Sequence, residues 1–219
     1  MSMHDHQTTH EHHSTHADGH ASRAMALSAT LHCLTGCAIG EIAGLMIGTA
    51  LGLAAGWTVV LSIVLAFVFG YSLSTLPLLK GGLTLGAALG LVLAADTLSI
   101  LTMEVADNLV MVVIPGAMDA GLVNPTFWVS MMVALSVAFL AAYPVNRYLL
   151  ARGKGHALTH GLHGDEGAAS GARRFIPDLA ATTLAAVIIA FMLGGLVVSV
   201  ADEMGAAPSS SGHAARKNS

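Results

Sequence analysis

His32, Cys33, Cys37 and Glu41 fall within ten residues of a stretch that is otherwise apolar, and they are the residue types that hold soft or borderline metal ions. Cys33, Cys37 and Glu41 follow one another at i, i+4 and i+8, a spacing that lines them along one side of a helix. Thiolate and imidazole suit Cu(I) or Zn(II), and a carboxylate can complete the shell or accept a proton as an ion passes. A free cysteine is also a common small buried hydrophobe, so sulfur alone decides nothing. Glu41 weighs more, because a carboxylate at the bilayer centre costs about 2.5–3.5 kcal/mol on insertion scales and normally faces a cavity, a partner or a pathway.

A second polar run, Asp96 to Asn108, supplies the complement. At about 100° per residue, Met103 and Asp107 lie within about 20° of Asp96, with Met111 and Glu104 about 60–80° round from it. Such a face is too polar for lipid and must look inward or at water, unless Glu104 and Asp107 have already reached the outer interface. Counted from the apolar starts at Ala24 and Gly82, Glu41 and Asp96 lie about 26 and 21 Å deep, so the two runs are expected to meet. The candidate metal ligands are therefore His32, Cys33, Cys37, Glu41, Asp96, Met103, Glu104 and Asp107. Histidine also gathers in His4, His6, His10, His12, His13, His16 and His20, and again in His156, His160 and His163, as expected of accessory capture of Cu or Zn. No organic cofactor is indicated.

The elements that must position these groups are membrane helices. The chain has 219 residues, 54% hydrophobic and 10% charged, with a mean hydropathy of +0.71; a soluble domain carries roughly a quarter charged residues. The fold class expected is all-α, a polytopic bundle of about five transmembrane helices, spanning about 25–54, 57–79, 82–114, 127–150 and 176–200. A His-rich leader, 1–23, is expected to be disordered and cytoplasmic, 151–174 to be a cytoplasmic linker inside the membrane domain 24–204, and 205–219 to be a disordered tail. The first span is too long, and its leader too acidic and His-rich, for a cleaved signal peptide. Span three is longer than a bilayer requires, so it must protrude, tilt or break. Arg147, Arg152, Lys154, Arg173 and Arg174 flank the fourth connection and none lies in 116–125, which sets the N-terminus and that linker in the cytoplasm of a bacterial inner membrane.

Gly36, Gly40, Gly44, Gly48, Gly52 and Gly56 stand at every fourth position. Small residues at that step let helices approach closely in lipid, which suggests packing in the bundle, a homo-oligomer or a membrane partner. Each step rotates about 40°, so the row cannot all face one straight neighbour. Its first half is expected to admit span three, and its second half to serve span two or another subunit.

The segments His32-Cys33-Leu34-Thr35-Gly36-Cys37 with Glu41, Asp96 to Glu104, and Tyr143-Pro144-Val145-Asn146-Arg147 through Gly153-Lys154-Gly155-His156 resemble a bacterial membrane-protein family, domain of unknown function 4396. The similarity covers roughly residues 25–160. The resemblance implies an integral membrane module and, from an association of some members with copper-handling proteins, metal handling. It implies no catalytic mechanism.

Function is then expected to be binding and transport of copper or zinc through the intramembrane Cys/His/carboxylate/Met site. One alternative is a proton- or cation-coupled carrier or channel using Glu41 and Asp96, and another is a non-transporting assembly subunit. No nucleophile with its base and oxyanion donors is present, so no enzyme is expected. The acidic net charge of −4, with scattered Lys and Arg, excludes a nucleic-acid footprint.

Overall fold

Apolar runs longer than a bilayer is thick, separated by Gly- and Asn-containing breaks, fold into five helices among the described residues. The computed structural model describes residues 9–152 and 180–206, with side chains from 22 to 152 and from 180 to 205. The helices are α1 (Thr9–Ala50), α2 (Ala55–Lys80), α3 (Leu85–Val113), α4 (Pro125–Ala151) and α5 (Ala181–Ala206). Each contains a segment long and apolar enough to cross a membrane, Ser22–Ala50 in α1 and nearly the whole of the others. The chain is thus an all-helical, multi-pass membrane bundle.

Helix α1 begins at Thr9, inside the stretch that composition marks as a leader, because nothing between Thr9 and Ala24 stops a helix that continues into a span. Helix α3 is one unbroken helix of 29 residues, about 43 Å at 1.5 Å per residue, and it does not split at its acids. The expected linker beyond Gly153, the start of span five at 176 and the tail beyond Ala206 lie outside the described residues.

Short connections force neighbouring helices to run antiparallel. Gly52, Gly82 and Gly116, one in each of the first three connections, have positive φ, where a side chain would clash with its own backbone. At the first, Leu53 N–H reaches back to the Gly48 carbonyl at 2.9 Å and closes the end of α1. The starts of α3 and α4 are capped from the side chain: Thr84 Oγ1 accepts from Ala87 N–H, and Asn124 Oδ1 accepts from Thr126 N–H at 2.8 Å with Pro125 opening α4.

The glycine row decides how α1 meets α2. A methyl group at Gly36 would strike the backbone of Gly70, at Gly40 that of Ala66, at Gly44 Ser62, and at Gly48 Thr58. The partner residues therefore also step by four, so the two rows wind round each other and the 40° drift of one is matched by the other. This corrects the division of the row between helices: four glycines serve α2 alone, Gly52 lies in the turn, and Gly56 has open space around it. At Gly36, Gly40, Gly44 and Gly48 the nearest atoms all belong to α2.

Helix α1 touches each of the other four helices and carries the core, with Cys33, Leu34, Cys37 and Ala38 packed among Ile100, Met103, Met131 and Leu135. Two further joints lock the bundle. Asn146 Nδ2 donates to Thr30 Oγ1 at 2.8 Å between α4 and α1, and the ring of Trp128 fills the space over Gly195, joining α4 to α5. Trp128 also donates its Nε1–H to the Leu122 carbonyl at 2.7 Å and meets Phe191 edge-on.

Candidate functional site

Because α1 and α3 run the same way, their polar rows lie side by side in one seam. Cys33 stands beside Asp96, with Ser74 and Ser99 against the sulfur. One turn further, Cys37 stands beside Glu104. After another turn, Glu41 faces Asp107 and Glu104 together. Each partner on α3 is 63 to 67 positions further along the chain. Glu41 thus meets Glu104 and Asp107 rather than Asp96, which lies two turns away beside Cys33. Depth counted from Ala24 and Gly82 assumed an offset nearer 58; hydropathy marks where apolar sequence starts, not where the turn at 81–84 sets α3 against α1.

The Glu41 end of the seam is the more unusual. Glu41, Glu104 and Asp107 retain only 8%, 3% and 4% of their exposure. Their hydrogen-bonding neighbours are one another and a thiol: Glu41 stands against Asp107, and Glu104 against Cys37. Buried polar atoms are nearly always paired, and buried charges are paired or bind an ion. Arg23, Lys80, Arg147 and Arg152, the described basic residues, all lie at the opposite end of the bundle. The acids are therefore not solvated at an interface; they are enclosed by protein.

They open instead on a cavity of about 410 Å³, bounded by α1, α2, α3, the 117–121 loop and the start of α4. Thr49, Thr58, Ser62, Asn108 and Asp119 give its wall polar groups, and Met111 and Met131 give thioethers. Ser62 donates to the Glu41 carbonyl at 3.3 Å, fixing the backbone that carries the acid. Asn108 Nδ2 donates to the Glu104 carbonyl at 2.9 Å in the same way on α3. Sequence reasoning missed Ser62, Thr58 and Asp119. The first two carry a legible signal, since Thr58, Ser62, Ala66 and Gly70 form a small-residue row that complements the glycines.

The remaining expected ligands divide. Met103 is buried in the same core as both cysteines. His32 is buried as well, and its Nδ1–H donates to the Ser28 carbonyl at 2.8 Å on its own helix. His4, His6, His156, His160 and His163 lie outside the described residues, as do the side chains of His10, His12, His13, His16 and His20. Among the described residues no three His, Cys, Asp or Glu side chains converge tightly enough to clasp a metal ion as they stand. Both cysteines are free thiols.

The seam and its cavity lie within residues 22–155, which match the family described as Domain of unknown function (DUF4396). The chain belongs to this family. The family's match contains α1 from Ser22 through α4, so both acid-bearing helices and the cavity loop are inside it, while α5 follows it. No curated protein and no solved structure matches the chain.

Proposed function

We propose that this membrane protein binds a metal ion of the zinc or copper class in the Cys37–Glu41–Glu104–Asp107 cluster and passes it across the bilayer. The observation that carries the reading is the cluster itself: Glu41, Glu104 and Asp107, buried against one another and Cys37 and opening on a polar-walled cavity. Three acids without a facing cation cannot all stay negative in a low-dielectric interior, so the cluster takes up positive charge, as an ion or as protons. Cys37 beside Glu104 adds the soft donor that favours a borderline or soft metal over magnesium or calcium. Cys33 and Asp96, two turns further in, continue the polar seam as a second station.

Direction follows from charge. The described basic residues share one end of the bundle and Asp119, Asp202 and Glu203 share the other, which supports a cytoplasmic N-terminus in a bacterial inner membrane and a cavity opening outward. The histidines of residues 4–20 and 156–163 then stand on the cytoplasmic side, where they bind ions released from the seam.

A second reading is favoured by the absence, among the described residues, of a preformed three-ligand cluster. In it the acids relay protons or a hydrated cation, and the cysteines only pack. Proteoliposomes separate the two. In the metal reading, zinc or copper flux is lost in Glu41→Gln and in Cys37→Ser; a pH-driven flux that survives Cys33→Ala and Cys37→Ala, with no metal bound, would establish the second reading. The assembly-subunit reading has less to stand on, since α2 covers the glycine face it required.

A further inference from the structure

Along the same face of α1 as the acids' cavity but nearer the start of that helix, a cleft of about 460 Å³ runs between α4 and α5, and it has no ionisable lining residue. Leu31 and Leu34 of α1 form its buried floor, while Leu140 and Ile189, 69% and 58% exposed, stand on its rim. The one hydroxyl in the wall, Ser136, is already used in a 2.7 Å bond to the Met132 carbonyl. The cleft therefore offers nothing to a water-soluble ligand and opens sideways, toward the bilayer.

From this cleft a column of side chains climbs α4 toward the basic end of the bundle. Phe139, in the cleft wall, stacks on Tyr143 with centroids 6.0 Å apart and planes 16° apart. The exposed Arg147 guanidinium lies over the other part of that column, 5.9 Å from the Tyr143 ring centroid. The dimensions match one leaflet of lipid. Met132 to Arg147 spans about 22 Å of helix at 1.5 Å per residue, and half a bilayer with its headgroup layer measures about 20–22 Å.

We infer that this cleft and column form a binding site for one anionic glycerophospholipid, an acyl chain lying in the cleft and the phosphate held by Arg147. Arg147 is the charge complement that selects an anionic headgroup, and a guanidinium grips phosphate through two parallel hydrogen bonds. The site would tie α5, which has few other partners, to α1 and α4 through a lipid. It shares no lining residue with the acids' cavity.

Native mass spectrometry of the full chain, released from detergent with phosphatidylglycerol or phosphatidylcholine of identical acyl chains, tests the inference. Expected is one saturable phosphatidylglycerol per chain, retained in preference to phosphatidylcholine. Arg147→Gln should weaken phosphatidylglycerol about fivefold, the effect of one basic side chain at an anionic surface, and phosphatidylcholine less, because its choline cation already neutralises the phosphate, with Arg147→Lys restoring part of the difference. Ser136→Trp should fill the cleft and expel both lipids. Equal retention of the two lipids, or unchanged binding in Arg147→Gln, would overturn the assignment. So would a lipid-free dimer that closes the cleft with a second copy, or lipid binding that appears only after residues 153–179 are cut away.

Discussion

Gly40→Ala tests the joint on which the position of Glu41 depends. A methyl group at Gly40 meets the Ala66 backbone nitrogen and Cα and the Leu65 carbonyl carbon, none of which can rotate away. Carbon atoms pack at about 3.5–4.0 Å, so α1 and α2 must part locally by roughly 1 Å or more, and a gap of that size forfeits up to about half of each contact's attraction. Overpacking of this kind costs about 1–3 kcal/mol. Against it stands the gain in helix propensity from replacing glycine with alanine, about 1 kcal/mol. Gly90→Ala is the matched control, since a methyl there meets nothing within 4 Å and receives the propensity gain without the clash. Gly40→Ala should therefore come out about 1–3 kcal/mol less stable than Gly90→Ala in a denaturant titration of protein in mixed micelles. It should also weaken ion binding, because Cys37 and Glu41 move with the displaced turn. Equal stability of the two variants would refute the four-residue register between α1 and α2.

Asn146→Ala should lose about 0.6–1.7 kcal/mol, the range measured for interhelical hydrogen bonds in membranes, and a double-mutant cycle with Thr30→Val should recover that energy as coupling across the 2.8 Å bond. Cys33 and Cys37, with 0% and 2% exposure, should resist maleimide in native micelles and react fully once the protein is unfolded, as read by intact mass. Asp119→Cys, at the cavity mouth, should be labelled by an impermeant maleimide added outside sealed cells; labelling only from the cytoplasmic side would reverse the orientation. Zinc or copper added beforehand should slow that reaction if the cavity is the entrance.

The helices were legible because a bilayer sets their length, and the turns because Gly52, Gly82 and Gly116 occupy backbone that other residues avoid. The polar rows on α1 and α3 were legible as well, because charge inside an apolar run has no trivial explanation. Their register was not. It depends on the turn at 81–84 and on the fit of Gly36, Gly40, Gly44 and Gly48 against Gly70, Ala66, Ser62 and Thr58, a pairwise steric match that no single row displays. The same match explains why a row that drifts by 40° per step can still serve one neighbour. Asp119 was hidden for a different reason: a carboxylate in a loop looks solvated until the loop is seen folding over a cavity.

In the proposed metal site, sulfur and carboxylate oxygen from the seam, rather than histidine from the chain ends, surround the ion. X-ray absorption at the zinc edge of purified protein loaded with one equivalent of Zn(II) reads that shell directly. The account predicts one sulfur near 2.3 Å with oxygens near 2.0–2.2 Å, the sulfur lost in Cys37→Ser and the ion lost in Glu41→Gln with Glu104→Gln. A shell of imidazole nitrogen alone, unchanged in those variants, would contradict it.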